Sequence, residues 1–430
     1  MDSAVYNELY NWPKGDEHNT RLYWHCMSYL NELVVFSDGT VTTCCADSKG
    51  VNKLGNCNEE RLEDIWRRQI TEFHQNNIAK SDAGMPWSST VCQWCINNNA
   101  MSRFGASAIS TDHEIDLFRN PRRKYPLSIV IEPTSYCNYR CYGCHSHSGG
   151  LGRSQDILSI DTFNHNIVPF LSHVEAKIRF YNYGEPFMHP DCIMLLKLMR
   201  QYAPKVSIEI ASNAMLMTTK ISEALVDNQV NWLVISLHGG HTQEKLLHFA
   251  KKGPELAVLK ENIATLVQIK RKRGSLLPRV GLKVLLAAWN DDPNEMEDVL
   301  LFGRKLGVDF VGWDDIMAEE HNKSRRVAPG TPAYNALRRR KLHVLDYVCS
   351  TPAWPAGNED DVPPVGGLPL DLAGWKDWYD DNTAAPCHLA ELPSPGKRCI
   401  PEWLQYAAKR VLSGLKKVCN ACKRKGIGNV

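Results

Sequence analysis

The chain has 430 residues, 43% of them hydrophobic and 23% charged, with a formal net charge of +2, the composition of a globular protein with room for more than one core. So small a net charge gives no electrostatic ground for binding nucleic acid or an anionic membrane, and no apolar run reaches the ~18 residues that a membrane span needs. The opening residues, MDSAVYNELYNWPKGDEHN, lack the basic-then-apolar order of a secretory signal. A cytoplasmic protein is therefore expected, and in a reducing compartment its fifteen cysteines read as metal ligands or catalytic thiols, not disulfides.

In chain order, residues 1–100 form a cysteine-bearing module. Leu33–Phe36 and Thr40–Thr43 flank Asp38-Gly39 and predict a β-hairpin whose second strand runs into Cys44-Cys45. Asn58–His74 carries Leu62, Ile65, Trp66 and Ile70 at helical spacing, and the module closes on Cys92-Gln93-Trp94-Cys95. Residues 101–124 are polar and end in the basic turn Pro121-Arg122-Arg123-Lys124, as a linker would.

From 125 to 316 strand-like and helix-like segments alternate. The strands are expected at Leu127–Ile131, Ile178–Asn182, Val206–Ala211, Trp232–Leu237, Val280–Ala287 and Phe310–Trp313. The helices are expected at Asp161–Leu171, Asp191–Tyr202, Thr219–Val226, Glu255–Arg271 and Glu295–Leu306. Six such units predict an α/β fold, a parallel sheet with helices outside, barrel-like or doubly wound. Chemistry in such folds sits at the C-terminal strand ends. Residues 317–430 form an extension with a basic helix at Asn335–Val348, a Pro/Gly-rich loop at Thr351–Pro369 and five more cysteines.

The loop after the first of the six strands, IEPTSYCNYRCYGCHSHS, carries Cys137, Cys141 and Cys144 at spacing C-x3-C-x2-C. Structural zinc takes four protein ligands, whereas iron–sulfur clusters are held by cysteine thiolates. A cluster on three cysteines leaves one iron open to an outside ligand. The histidines His145, His147, His189, His238 and His241 lie near strand ends and read as polar residues of a wet cleft more readily than as proton donors.

This loop, together with Tyr183-Gly184-Glu185-Pro186 after the second strand, resembles the signature of the radical S-adenosylmethionine (radical SAM) superfamily. The resemblance implies a partial (β/α)6 TIM-like barrel over 125–316. In it Cys137, Cys141 and Cys144 would hold a catalytic [4Fe–4S] cluster with S-adenosylmethionine on the open iron. Tyr183, Gly184, Glu185 and Pro186 would receive the methionine ammonium; more weakly, Ser212, Asn213 and Ser236 at the next two strand ends would contact ribose or carboxylate. Tyr183 stands where the family usually has glycine, and Gly143 where it commonly has an aromatic residue, a role that Tyr139 and Tyr142 can take over.

Cys26, Gly39 and Cys44 stand as C-x12-G-x4-C, completed by Cys92 and Cys95. This is similar to the twitch form of SPASM domains, which implies an auxiliary [4Fe–4S] cluster, with zinc the alternative for four thiolates. Cys45 can replace Cys44, and Cys57 is a spare or a ligand. Such domains usually follow the barrel; here one precedes it and would have to fold back over the barrel mouth. Cys387, Cys399, Cys419 and Cys422 repeat the theme for a second auxiliary cluster, zinc or no metal, while Cys192 and Cys349 read as buried thiols. The resemblance implies formation of a 5′-deoxyadenosyl radical and hydrogen abstraction in the oxidative modification of a peptide. Its alternatives are oxidation or rearrangement of a sugar or aminocyclitol, or a non-catalytic zinc or iron–sulfur protein. The implied partners are a peptide or small-molecule substrate and a one-electron reductant such as flavodoxin or ferredoxin.

Overall fold

The computed structural model describes residues 23–24, 27–83, 89–92, 108–109, 124–147, 150–287, 289–290 and 293–315, all in the first, Met1–Ala384, of two compact units. The expectations for Cys26, Cys95, Cys349, Cys387, Cys399, Cys419 and Cys422, and for the extension from 317 onward, lie outside the described residues.

Strands β1 (Glu32–Val35) and β2 (Thr40–Thr42) form the expected hairpin. Asp38 closes the turn by accepting from Thr40 N at 2.9 Å, and Gly39 takes the φ of +83° that the turn requires. Strand β3 (Lys53–Asn56) then pairs antiparallel with β2. The intervening loop is organised by Asp47, fully buried, which accepts from Thr42 Oγ1 at 2.5 Å, Val51 N at 2.8 Å and Asn52 N at 2.7 Å. Helix α1 runs from Leu62–Arg68 through a π-helical stretch, Gln69–Phe73, to His74–Asp82. It starts with Glu63 and Asp64 in its first turn, where the dipole favours acids, and it buries Leu62, Ile65 and Trp66.

The six expected β–α strands are β4 (Ser128–Ile131), β5 (Lys177–Arg179), β6 (Ser207–Ser212), β7 (Trp232–Ser236), β8 (Arg279–Leu286) and β9 (Phe310–Asp315). Each pairs parallel with the next. Between them lie α2 (Ile160 to Leu171), α3 (Cys192–Tyr202), α4 (Thr219–Asp227), α5 (Gln243–Phe249), α6 (Leu256–Lys272) and α7 (Pro293–Leu306). Side chains of Ser159, Thr218 and Thr242 cap α2, α4 and α5. Helix α5, seven residues long, was not expected, because two turns are too short for a 3.6-residue period to stand out.

The sheet does not stop at the barrel. Its nine strands run β9-β8-β7-β6-β5-β4-β1-β2-β3, without closure. Strand β1 pairs parallel with β4, Val35 opposite Ile131. Among the described residues, the hairpin of the cysteine-bearing module continues the sheet from the edge of the first barrel strand. Strand alternation sorts the side chains. Leu33, Val35, Ile129, Ile131, Ile178, Ile208, Ile210, Leu233 and Ile235 enter the common core under the helices, while Glu32, Lys177, Arg179 and Glu209 take the opposite face. There Glu32 pairs with Arg179, and Lys177 with Glu209 at 2.7 Å.

Candidate active site

Because β4 to β9 are parallel, their C-terminal ends share one rim, and the three-cysteine loop leaves from the first. Cys137, Cys141 and Cys144 are half-buried on it. Burial first, then the charges of Glu185 and Cys144, push the Cys137 thiol up to about 12; burial and the other two thiols raise Cys141 in the same direction. Tyr139 N donates to Cys137 Sγ at 3.4 Å. The loop is clamped by the segment after α5. Cys141 bridges Ala250, Tyr142 N donates to Phe249 O at 2.8 Å and Arg140 N to Lys252 O at 3.1 Å. Gly253, with φ +111°, lies so close that a Cβ would stand 2.5 Å from Asn138 O. Tyr139, Phe249, Ala250 and Ala287 form an apolar cluster against Cys137 and Cys141, with Tyr142 and Trp289 beside it. Tyr139 and Tyr142 thus surround the cysteines although position 143 is glycine.

The second and third strand ends complete the arrangement. Glu185 is 2% exposed and accepts from Ser212 Oγ at 2.7 Å, Asn213 N at 2.8 Å and Phe187 N at 3.1 Å. Asn213 Nδ2 in turn donates to Asn138 Oδ1 at 2.8 Å and reaches Cys137 Sγ at 3.9 Å. Gly184 is obligatory: its backbone lies on the cysteine loop, and a Cβ would stand 1.8 Å from Thr134 O. Pro186 starts a short 3-10 turn through Met188. Residues named from three separate strand ends therefore meet in one network. Ser236 is the exception. It ends β7 half-buried, in register with Lys283, one strand beyond that network.

Burial raises the Glu185 carboxyl to about 7, against the pull of its three donors. A buried carboxylate held that high gains most from an ammonium partner. Thiols that burial holds toward neutrality, as at Cys137 and Cys141, gain most from a cationic core that lets them ionise. The donor set therefore fits an iron–sulfur cluster with an amino-acid ligand beside it. Among the described residues, no three His, Cys, Asp or Glu side chains converge on a position suited to a single metal ion.

Sequence reasoning missed Glu132 and Arg153. Glu132 follows β4 and is fully buried; Arg153 Nη2 meets both its oxygens at 2.7 and 2.8 Å. Ser37 Oγ donates to the same carboxylate at 2.9 Å and Tyr183 N at 3.2 Å, while the guanidinium lies 4.0 Å over the Phe36 ring. Only the Glu directly after a strand hinted at it, since Arg153 is 21 residues away and Ser37 is 95. The histidines divide. His189 is buried and structural, its ring spanning Leu158 O at 2.7 Å and Asp191 N at 3.0 Å, and His241 pairs with Glu295. His145 stacks on Tyr183, with ring centroids 5.6 Å apart and planes 11° from parallel. Cys57 and Cys192 are buried core thiols. No helix among the described residues is long and apolar enough to cross a membrane.

Residues 131–286 match the family model of the radical SAM superfamily, and residues 26–96 that of SPASM, an iron–sulfur cluster-binding domain. Among solved structures, Streptococcus suis SuiB bound to S-adenosylmethionine is 12% identical over 76% of this chain and 71% of that one, TM-score 0.40. Native anSMEcpe with bound AdoMet and Cp18Cys peptide is 16% identical over 46% of this chain and 55% of that one, TM-score 0.37. TYW1 with a lysine-pyruvate adduct is 13% identical over 44% and 66%, TM-score 0.33. No curated protein matches the chain. The radical SAM match, which runs from the last residue of β4 through β8, and the SPASM match, which covers the cysteine-bearing hairpin and helix, fall on the elements that build the site: the chain carries a stretch that matches the radical SAM superfamily, with a SPASM match ahead of it.

Proposed function

We propose that this protein is a radical SAM enzyme that oxidatively modifies a peptide, with Cys137, Cys141 and Cys144 as cluster ligands and Glu185 as the acceptor for the methionine ammonium. When bound, the [4Fe–4S] cluster and S-adenosylmethionine supply reductive cleavage of a sulfonium C–S bond and, with it, a 5′-deoxyadenosyl radical for hydrogen abstraction. The observation that carries the reading is the single network of Cys137, Asn213, Ser212 and Glu185. Ser212 and Asn213 keep the carboxylate oriented, and the Tyr139–Phe249–Ala250 cluster keeps water from the thiolates. The Thr134 and Tyr136 carbonyls, pressed against Gly184, hold that backbone at the strand end.

Cys26, Cys44, Cys92 and Cys95 are the proposed ligands of an auxiliary cluster. Cys44 is preferred over Cys45 because Cys45 packs against the apolar group Val34, Phe36 and Val130. The C-terminal quartet is proposed for a second such cluster. A peptide substrate is suggested by the SPASM domain, and a flavodoxin or ferredoxin would deliver the electron. Anaerobically reconstituted protein given S-adenosylmethionine and a strong reductant should release 5′-deoxyadenosine. Replacing Cys137, Cys141 and Cys144 together should remove about four irons and abolish that release; a reconstituted wild type that makes none would overturn the reading. If changing Cys92 and Cys95 leaves the iron content unaltered, the auxiliary assignment fails.

A further inference from the structure

Tyr183 occupies a position at which the family usually places glycine, and its side chain is put to use. The phenol donates to the backbone carbonyl of Cys45 at 3.2 Å, in the loop that also carries Cys44. Its ring stacks on His145, the residue after Cys144, and His145 Nδ1 meets Ser48 Oγ, in that same N-terminal loop, at 2.6 Å. The Tyr183 side chain therefore lies between the loop that carries Cys44 and the residue that follows Cys144. Its backbone leads the other way. Tyr183 N is held by Glu132, Gly184 has no slack against Thr134 O, and Glu185 N donates to Tyr136 O at 2.8 Å.

We propose that Tyr183 is a positioning residue that couples the N-terminal thiolate site to the S-adenosylmethionine site, so that loading the first tightens nucleoside binding at the second. The inference rests on the ligand assignment above. Metal drawn onto Cys44 fixes the carbonyl of Cys45; the phenol hydrogen bond passes that position to residue 183; and the tightly packed backbone passes it on to the Glu185 carboxylate. A glycine at 183 makes no contact with Cys45. Coupling of this kind is a free energy shared by the two sites and is reciprocal.

The test is a double-mutant cycle on reconstituted full-length protein: wild type, Cys92→Ala, Tyr183→Phe and the double variant. Phenylalanine keeps the ring on His145 and removes only the hydrogen bond. S-adenosylmethionine affinity is read by equilibrium dialysis and by the change that nucleoside binding makes in the electron paramagnetic resonance of the central cluster; neither needs turnover. Cys92→Ala should weaken binding about fivefold with Tyr183 present, the worth of one hydrogen bond, and by less than twofold in the Y183F protein. Equal losses in both backgrounds would overturn the coupling while leaving the ligand assignment intact. An unchanged iron content in Cys92→Ala would overturn the assignment and the coupling with it. Cys92→Ser serves in place of alanine should that variant fail to fold.

Discussion

Glu185 concentrates the chemistry of the site in one carboxyl group. Its folded-state value of about 7 lies above the ordinary 4.5, so between those pH values the native protein binds more protons than the unfolded chain. The ligand-free protein must therefore lose stability as pH rises through that window, by about 3 kcal/mol once above it, at ~1.4 kcal/mol per pH unit. Glu185→Gln has no proton to lose and should show a flatter profile between pH 4.5 and 8. Its cost is one mismatched contact, because the amide nitrogen would face Asn213 N. Thermal melts of both apo proteins across that range check this, and parallel profiles would sink it. The residue was legible as part of Tyr-Gly-Glu-Pro after a strand. That it would be held by Ser212 and Asn213 was not, since they end and follow the next strand, 27 and 28 residues on.

Among the elements, the join between β1 and β4 is where the two halves of the site are held in register. The Glu132–Arg153 pair beneath it is almost fully buried, with side chains 0% and 8% exposed. Removing one member of such a pair strands the other without solvent. Arg153→Met should therefore cost about 3–5 kcal/mol, read as a lower urea midpoint. Glu132→Gln combined with Arg153→Met should lose much less, because no charge is left behind. A loss below about 1 kcal/mol for Arg153→Met would show that water reaches the carboxylate. Hairpin, β–α units and most helix limits were readable because each rests on local signals: Asp-Gly at a turn, apolar period, Ser or Thr at a cap. The pairing of β1 with β4 has no local signal. It joins segments about 96 residues apart, and either strand alone reads simply as apolar and β-branched.

For the whole molecule, the continuous sheet means that barrel and SPASM domain stand or fall together. A fragment spanning 125–316 would expose the β4 edge, with its unpaired backbone groups and the apolar Ile129 and Ile131, and would leave Arg179 without Glu32. Exposed apolar edges recruit other chains. That fragment should elute as aggregate on size exclusion under conditions in which the full chain does not; a stable monomer would contradict the shared-sheet argument.

The sequence by itself determined the β–α alternation, the strand end from which the cysteine loop leaves, the cysteine spacing and the Gly-Glu-Pro segment, since each is written in consecutive residues or repeats with the period of its element. Only the tertiary structure decided that the N-terminal hairpin is the next strand of the barrel sheet, that Glu132 and Arg153 meet, and that Tyr183 lies against Cys45. These depend on which strand edges and which buried charges find one another across 20 to 140 residues of chain. Such choices are settled by the joint burial of apolar faces and the cost of leaving a polar group unpaired, and no short stretch of sequence records them.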